Sequence, residues 1–208
     1  MSNPWMTIPL ADYEMHMSLP LIGQAKMLAD QLELLIERNA PGSVAIIGCA
    51  GGNGLERIES GELERIVAVD INPEYIAQAK ARHATRLTEL ELCCADIQSE
   101  SLNFGAVDLI YAALIFEYVD TRATFASLRR NCRQNGTLAI LVQLPHAAQA
   151  AVTPSPYASL GALAPVMRLI APDEVCRVAE SSGFDAVNSE VITLPSGKRF
   201  CMQIFRAR

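Results

Sequence analysis

The sequence predicts an α/β protein built on an open, doubly wound, mostly parallel sheet with helices on both faces. Three observations carry this. Short continuous apolar runs alternate with segments of helical period, a glycine cluster follows the first such run, and the last two extended segments are joined by a turn too short for anything but an antiparallel hairpin. At 208 residues the chain fits one domain with a sizeable core of its own.

Each element has its own signal. From Leu21 to Ile36 the apolar positions recur at three- and four-residue spacing, which predicts an amphipathic helix with Pro20 in its first turn, closing an amino-terminal cap segment over residues 1–40. Pro41-Gly42 stops that helix, and Val44 to Ile47 reads as a strand buried on both faces. Ile66 to Val69 is a second strand ending at Asp70. Asn72 and Pro73 then cap and open a helix from Glu74 to about Arg86. Leu90 to Ala95 and Val107 to Ala113 are the third and fourth strands. A helix from Thr121 to Arg133 shares Phe125, Leu128 and Cys132 on one face, and Asn135-Gly136 turns into a fifth strand, Leu138 to Val142. Residues 146–170, rich in alanine and proline, read as a lid insertion. A helix from Pro172 to Ser182 leads to Val187 to Leu194, the turn Pro195-Ser196-Gly197, and Arg199 to Arg206.

Composition excludes several classes. A formal net charge of −6 argues against coating nucleic acid, and no apolar run approaches the roughly 18 residues of a membrane span. Half the residues are hydrophobic, too many for disorder. The six cysteines form no C-x-x-C pair, so no metal site is legible, and the opening residues lack a basic and then apolar leader, so a cytoplasmic protein with reduced thiols is expected.

The chemistry centres on the glycines. Gly48, Gly51, Gly52 and Gly54 stand between the first strand and an expected helix, where missing β-carbons let a nucleotide-type cofactor approach the backbone. Asp70, at the end of the second strand, suits a carboxylate accepting from ribose hydroxyls; a helix cap or surface acid is the alternative. Asp96 after the third strand would accept from an adenine amino group while Ile97 packs on the ring.

Together these residues resemble the class I S-adenosylmethionine-dependent methyltransferases, small-molecule branch. The matching pieces are VAIIGCAGGNGLE from Val44, IVAVDINPEYIAQAKAR from Ile66, CADI from Cys94, VDLIYAALIFEYVD from Val107 and RNCRQNGTLAILV from Arg130, and the likeness runs from Leu34 to Arg206. It implies a three-layer, seven-stranded sheet of order 3-2-1-4-5-7-6 and S-adenosyl-L-methionine held by Gly48, Cys49, Ala50, Gly51, Gly52, Asp70, Ile71, Asp96 and Ile97. The chain departs from the family's loop at Ile46, where an acid is usual, and at Ala50, where glycine is usual. A short-chain NAD(P)-dependent dehydrogenase would use the same glycines, but no tyrosine here has a lysine four residues on. A catalytically silent cofactor-binding or scaffold protein of this fold is the other alternative.

Methyl transfer needs mainly in-line positioning of a nucleophile about 3 Å from the methyl carbon, with a base only where a proton must leave. Tyr118 stands where relatives often carry histidine. With His146 after the fifth strand and His16 near the amino terminus it forms the candidate catalytic set, and Tyr13, Tyr118 and Arg168 are the candidate acceptor contacts. Tyr13, His16, Tyr118 and His146 are expected to converge above the cofactor methyl. The lid carries Val152, Tyr157, Leu160, Leu163, Val166 and Met167 with one charge, Arg168, and so predicts a small, partly apolar acceptor. The same apolar residues would otherwise cover the sheet or form the contact of a homodimer.

Overall fold

The computed structural model describes residues 3–20, 22–99, 101–146 and 150–208. Leu21 of the expected first helix and lid positions 147–149 lie outside the described residues. Seven strands form one sheet: β1 (Ser43–Ile47), β2 (Arg65–Asp70), β3 (Leu90–Cys94), β4 (Val107–Ala113), β5 (Cys132–Gln143), β6 (Phe184–Thr193) and β7 (Arg199–Ala207), in the order β3-β2-β1-β4-β5-β7-β6. The pairings β1–β2, β1–β4, β2–β3 and β4–β5 are parallel, while β7 runs antiparallel to β5 and β6. This is the predicted α/β architecture, terminal hairpin included. The order reverses between β1 and β4, and there the carboxyl ends of the strands open a crevice.

Five α-helices accompany the sheet: α1 (Leu10–Ser18), α2 (Gln24–Asn39), α3 (Pro73–His83), α4 (Thr121–Arg130) and α5 (Pro172–Ser181). All five residues of β1 are buried because each face is covered. On one side Leu28, Leu32 and Leu35 of α2 pack with Val44, Ile46 and Leu109; on the other Phe125 and Leu128 of α4 and Val175 of α5 pack with Ala45, Ile47 and Ile110. Phe116, Phe125 and Phe184 are fully buried in this second layer. No helix among the described residues is long and apolar enough to cross a membrane.

Four local expectations are corrected. α2 begins at Gln24 with Gly23 at φ 61° as its cap, so Pro20 lies in the turn before it. α4 ends at Arg130, and Cys132 opens β5 opposite Val107 instead of extending the helix face. Asn135, at φ 62°, and Gly136 sit within β5, where the register against β4 shifts between Val107 and Leu109. Most consequential, no α-helix follows the glycine loop. Residues 48–64 hold only a three-residue 3-10 turn, Leu55–Arg57, because glycines at 51, 52 and 54 each disfavour helix by about 1 kcal/mol. Leu55, Ile58 and Leu63 plug that face of the sheet in the helix's place.

Glu117 ties the end of β4 to its surroundings. Its side chain, 1% exposed, accepts from the Gln143 N–H at 2.7 Å through Oε1, and its carbonyl accepts from the Arg168 N–H at 2.9 Å; Oε2 has no partner. Burial raises the carboxyl to about 7. A folded-state value above the unfolded one favours the folded protein fully below the ordinary carboxylate range, and that contribution is lost as pH rises to about 7. Urea unfolding should therefore show wild type losing about 2–3 kcal/mol more stability than Glu117→Gln between pH 5 and pH 8. Equal slopes for the two proteins would show that Glu117 is charged in the folded state.

Candidate functional site

Three clefts meet at the carboxyl ends of β1 and β4. The first is lined by Gly48 and Ala50 of the loop, Asp70 at the end of β2 and Ile71 after it, Asp96 and Ile97 after β3, and Leu114 and Tyr118 after β4. It contains two carboxylates and no lysine or arginine. Asp70 organises it. Its Oδ2 accepts from the Ala50 N–H at 2.9 Å and its Oδ1 from the Asn72 N–H at 2.9 Å, so one side chain clamps the glycine loop to the start of α3. Burial raises the Asp70 carboxyl, and the backbone donors at Asn72 and Ala50 oppose that rise.

The loop's departures have a structural account. Gly48 sits at φ 71°, and a β-carbon there would stand 2.1 Å from Ile115 Cδ1, so only glycine fits. Ala50 adopts φ 48°, a left-handed conformation costing about 1 kcal/mol or more for alanine, and its bond to Asp70 helps hold it there. Leu114 shares this strain at φ 57°, at the mouth of β4.

The second cleft lies on the other side of the loop and takes Cys49, Gly51 and Gly52, together with Glu14, Arg82 and His83. Arg82 Nη2 donates to Glu14 Oε2 at 3.0 Å, and this pair covers Gly51. Burial drives the Cys49 thiol upward, which keeps it protonated and inert.

The third cleft lies beneath the lid. Tyr13, His16, Gln24, Tyr118, Leu160, Leu163 and Lys198 are among its lining residues. Trp5, Tyr13, Leu114 and Tyr118 belong to both the first and the third cleft and form the wall between them. The Trp5 ring meets Tyr13 edge-on at 5.5 Å and Tyr118 at 5.1 Å. The amino-terminal segment is fixed at both ends. Asn72 Nδ2 donates to the Trp5 carbonyl at 2.8 Å and Tyr75 OH to that of Ile8 at 2.9 Å, while Ser159 Oγ of the lid donates to Asp12 Oδ2 at 2.5 Å. Ile8 packs on Leu160 and Leu163. Burial raises the Tyr13 and Tyr118 hydroxyls, Glu117 adding to the rise at Tyr118, so both are neutral hydrogen-bond donors at physiological pH. His16 is lowered by burial and then by Lys198, which favours the neutral imidazole, and its Nδ1 is buried without a partner.

The structure thus brings Gly48, Ala50, Asp70, Ile71, Asp96 and Ile97 to one cleft, and Cys49, Gly51 and Gly52 to its neighbour. Of the four residues expected to converge, Tyr13, His16 and Tyr118 share the third cleft. His146 and Arg168 line none of the three; Arg168 is exposed and meets Glu117 through its backbone alone. Sequence reasoning missed Trp5, Gln143 and Lys198. The one available signal was at Trp5, the single tryptophan, which follows Asn3 and Pro4 in a helix-start pattern; Asn3 Oδ1 indeed accepts from the Trp5 N–H.

Comparison with known proteins agrees with this geometry. Residues 46–140 match a family model described as a methyltransferase domain. No curated protein matches the sequence. Among solved structures, the N-methyltransferase NodS from Bradyrhizobium japonicum WM9, in complex with S-adenosyl-L-homocysteine, is 18% identical with a TM-score of 0.66, covering 88% of this chain and 87% of its own. Magnesium protoporphyrin IX methyltransferase (ChlM) from Synechocystis PCC 6803 with bound S-adenosylhomocysteine is 14% identical with a TM-score of 0.67, covering 90% and 84%. The [4+2]-cyclase SpnF is also 14% identical with a TM-score of 0.67, covering 86% and 80%, so likeness of fold by itself does not fix the reaction. The chain thus has the fold of these solved structures, a sheet of order 3-2-1-4-5-7-6, and residues 46–140 of it are similar to a methyltransferase domain.

Proposed function

We propose that the protein transfers a methyl group from S-adenosylmethionine to a small, partly apolar acceptor. One observation supports this reading: the two clefts adjoin at the switch point, with Trp5, Tyr13, Leu114 and Tyr118 lining both, so that a donor in one and an acceptor in the other come within about 3 Å once these side chains draw aside. The first cleft fits the cofactor. Gly48 and Ala50 of the loop line it, Asp70 and Asp96 would accept from the ribose and adenine, and Ile71 and Ile97 would flank the ring. A cationic nucleoside suits a cleft with two acids and no base. A dinucleotide would lack both a helix N-terminus and a cation for its pyrophosphate, since only a 3-10 turn follows the loop. That counts against the dehydrogenase reading.

Bound S-adenosylmethionine supplies an electrophilic methyl on its sulfonium. The chain's residues then hold the acceptor, exclude water and manage one proton. Leu160, Leu163 and Met167 provide the apolar wall, and the amino-terminal segment roofs both clefts. Tyr13 and Tyr118 act as donors that orient the acceptor. His16, neutral and with Nδ1 free, is the base where the acceptor must lose a proton. Of the two histidines in the candidate catalytic set, His16 takes this role because it lines the third cleft, whereas His146 lines none of the three. The six cysteines are all unpaired thiols, which suits the cytoplasm.

Calorimetry tests the reading. S-adenosylhomocysteine should bind at one site, and NAD and NADP should give no heat. Saturation by a nicotinamide dinucleotide alone would overturn the assignment, and silence from every ligand would favour a scaffold. Asp70→Ala should weaken cofactor binding about tenfold or more, since a hydrogen bond to a charged group contributes about 1.5–3 kcal/mol. Unchanged affinity in a folded variant would leave Asp70 as the loop clamp only.

A further inference from the structure

The third cleft contains a charge that the reading above does not use. Lys198 lies in the hairpin turn between β6 and β7, where the Leu194 N–H donates to its carbonyl at 2.9 Å. A turn lysine is ordinarily solvated, yet this one is 4% exposed and lines the cleft. Its Nζ donates to the Ala151 carbonyl at 3.1 Å and to Gln143 Oε1 at 3.3 Å. Both partners are neutral, and no carboxylate pairs with Lys198 among the described residues. An ammonium has three donors, so one remains. Two acceptor-side groups stand on the same lining without partners: His16 Nδ1, on a side chain 7% exposed, and the Thr153 hydroxyl.

We infer that the acceptor carries a carboxylate, seated on Lys198 at the polar end of the third cleft, with its apolar body against Trp5, Leu160, Leu163 and Met167. The inference rests on the reading of this cleft as the acceptor site. A buried ammonium without a counter-ion is a standing cost that an incoming anion relieves. Burial alone draws Lys198 down to about 8, the response of a cation with no negative neighbour. The charge count selects the class. One cation matches one carboxylate, whereas a phosphate dianion would arrive with a second charge and no arginine in the lining to meet it. The apolar remainder selects a small hydrophobic acid over a sugar or a nucleotide.

Benzoate and its neutral analogue benzamide test this by calorimetry on the full chain. Wild type should bind benzoate at least tenfold more tightly than benzamide, a comparison that needs no variant. Lys198→Gln should weaken benzoate tenfold or more and move benzamide less than twofold, while still binding S-adenosylhomocysteine as wild type does. Benzoate binding no tighter than benzamide, or surviving intact in Lys198→Gln, overturns the inference, as does displacement of benzoate by inorganic phosphate at equal concentration. Failure of S-adenosylhomocysteine to bind wild type, with the preference for benzoate intact, would instead remove the methyltransferase reading and leave the carboxylate site standing.

Discussion

The carboxylate of Asp70 closes two backbone segments at once, and the arrangement of the clefts follows from that. One oxygen holds the Ala50 N–H, keeping an alanine in a left-handed conformation that glycine would adopt without strain. The other holds the Asn72 N–H, and Asn72 in turn does two things. Its side-chain oxygen caps α3 by accepting from the Glu74 N–H at 2.9 Å, and its amide nitrogen reaches the Trp5 carbonyl. The position of the tryptophan ring, and with it the wall of Tyr13 and Tyr118, therefore traces back through two hydrogen bonds to the end of β2. An acid at the end of a strand reads as a ligand contact; here the acid also fixes the segment that roofs the first cleft.

Charge separates the two clefts. Acids and apolar groups line the one assigned to the cofactor, and a single buried lysine marks the one assigned to the acceptor. On the proposed reading, a cationic donor and an anionic acceptor would be drawn to neighbouring clefts. On that reading the donor would lose its positive charge on transfer, and with it part of its attraction to Asp70 and Asp96, which would favour release of product.

Most of the sheet was legible because buried strands leave unbroken apolar runs and because Asn72-Pro73 and Pro195-Ser196-Gly197 punctuate the chain locally. The absent helix after the glycine loop was not, although three glycines among residues 51–54 weigh against one; the family pattern outweighed propensity. That Asp70 and Asp96 line one cleft could be read from strand ends, where topology alone places them. On the lid side, the meeting of Tyr13, His16 and Tyr118 could be read, but the parts played by Trp5 and Lys198 could not. Trp5 and Asn72 are 67 residues apart, and Lys198 and Ala151 are 47 apart, so their meeting is set by tertiary packing with no local trace. His146 and Arg168 line none of the three clefts for a similar reason: a position near the right strand says nothing of the direction in which a loop side chain leaves the backbone.

The account stands on the division of labour across the Trp5, Tyr13 and Tyr118 wall, and a crystal structure of the protein soaked with S-adenosylhomocysteine tests it most directly. The account predicts ribose hydroxyls within hydrogen-bond distance of Asp70, the adenine between Ile71 and Ile97, and the lid-side cleft with Lys198 left open. A ligand seated instead in the cleft of Glu14, Arg82 and His83, or beneath the lid against Lys198, would contradict it.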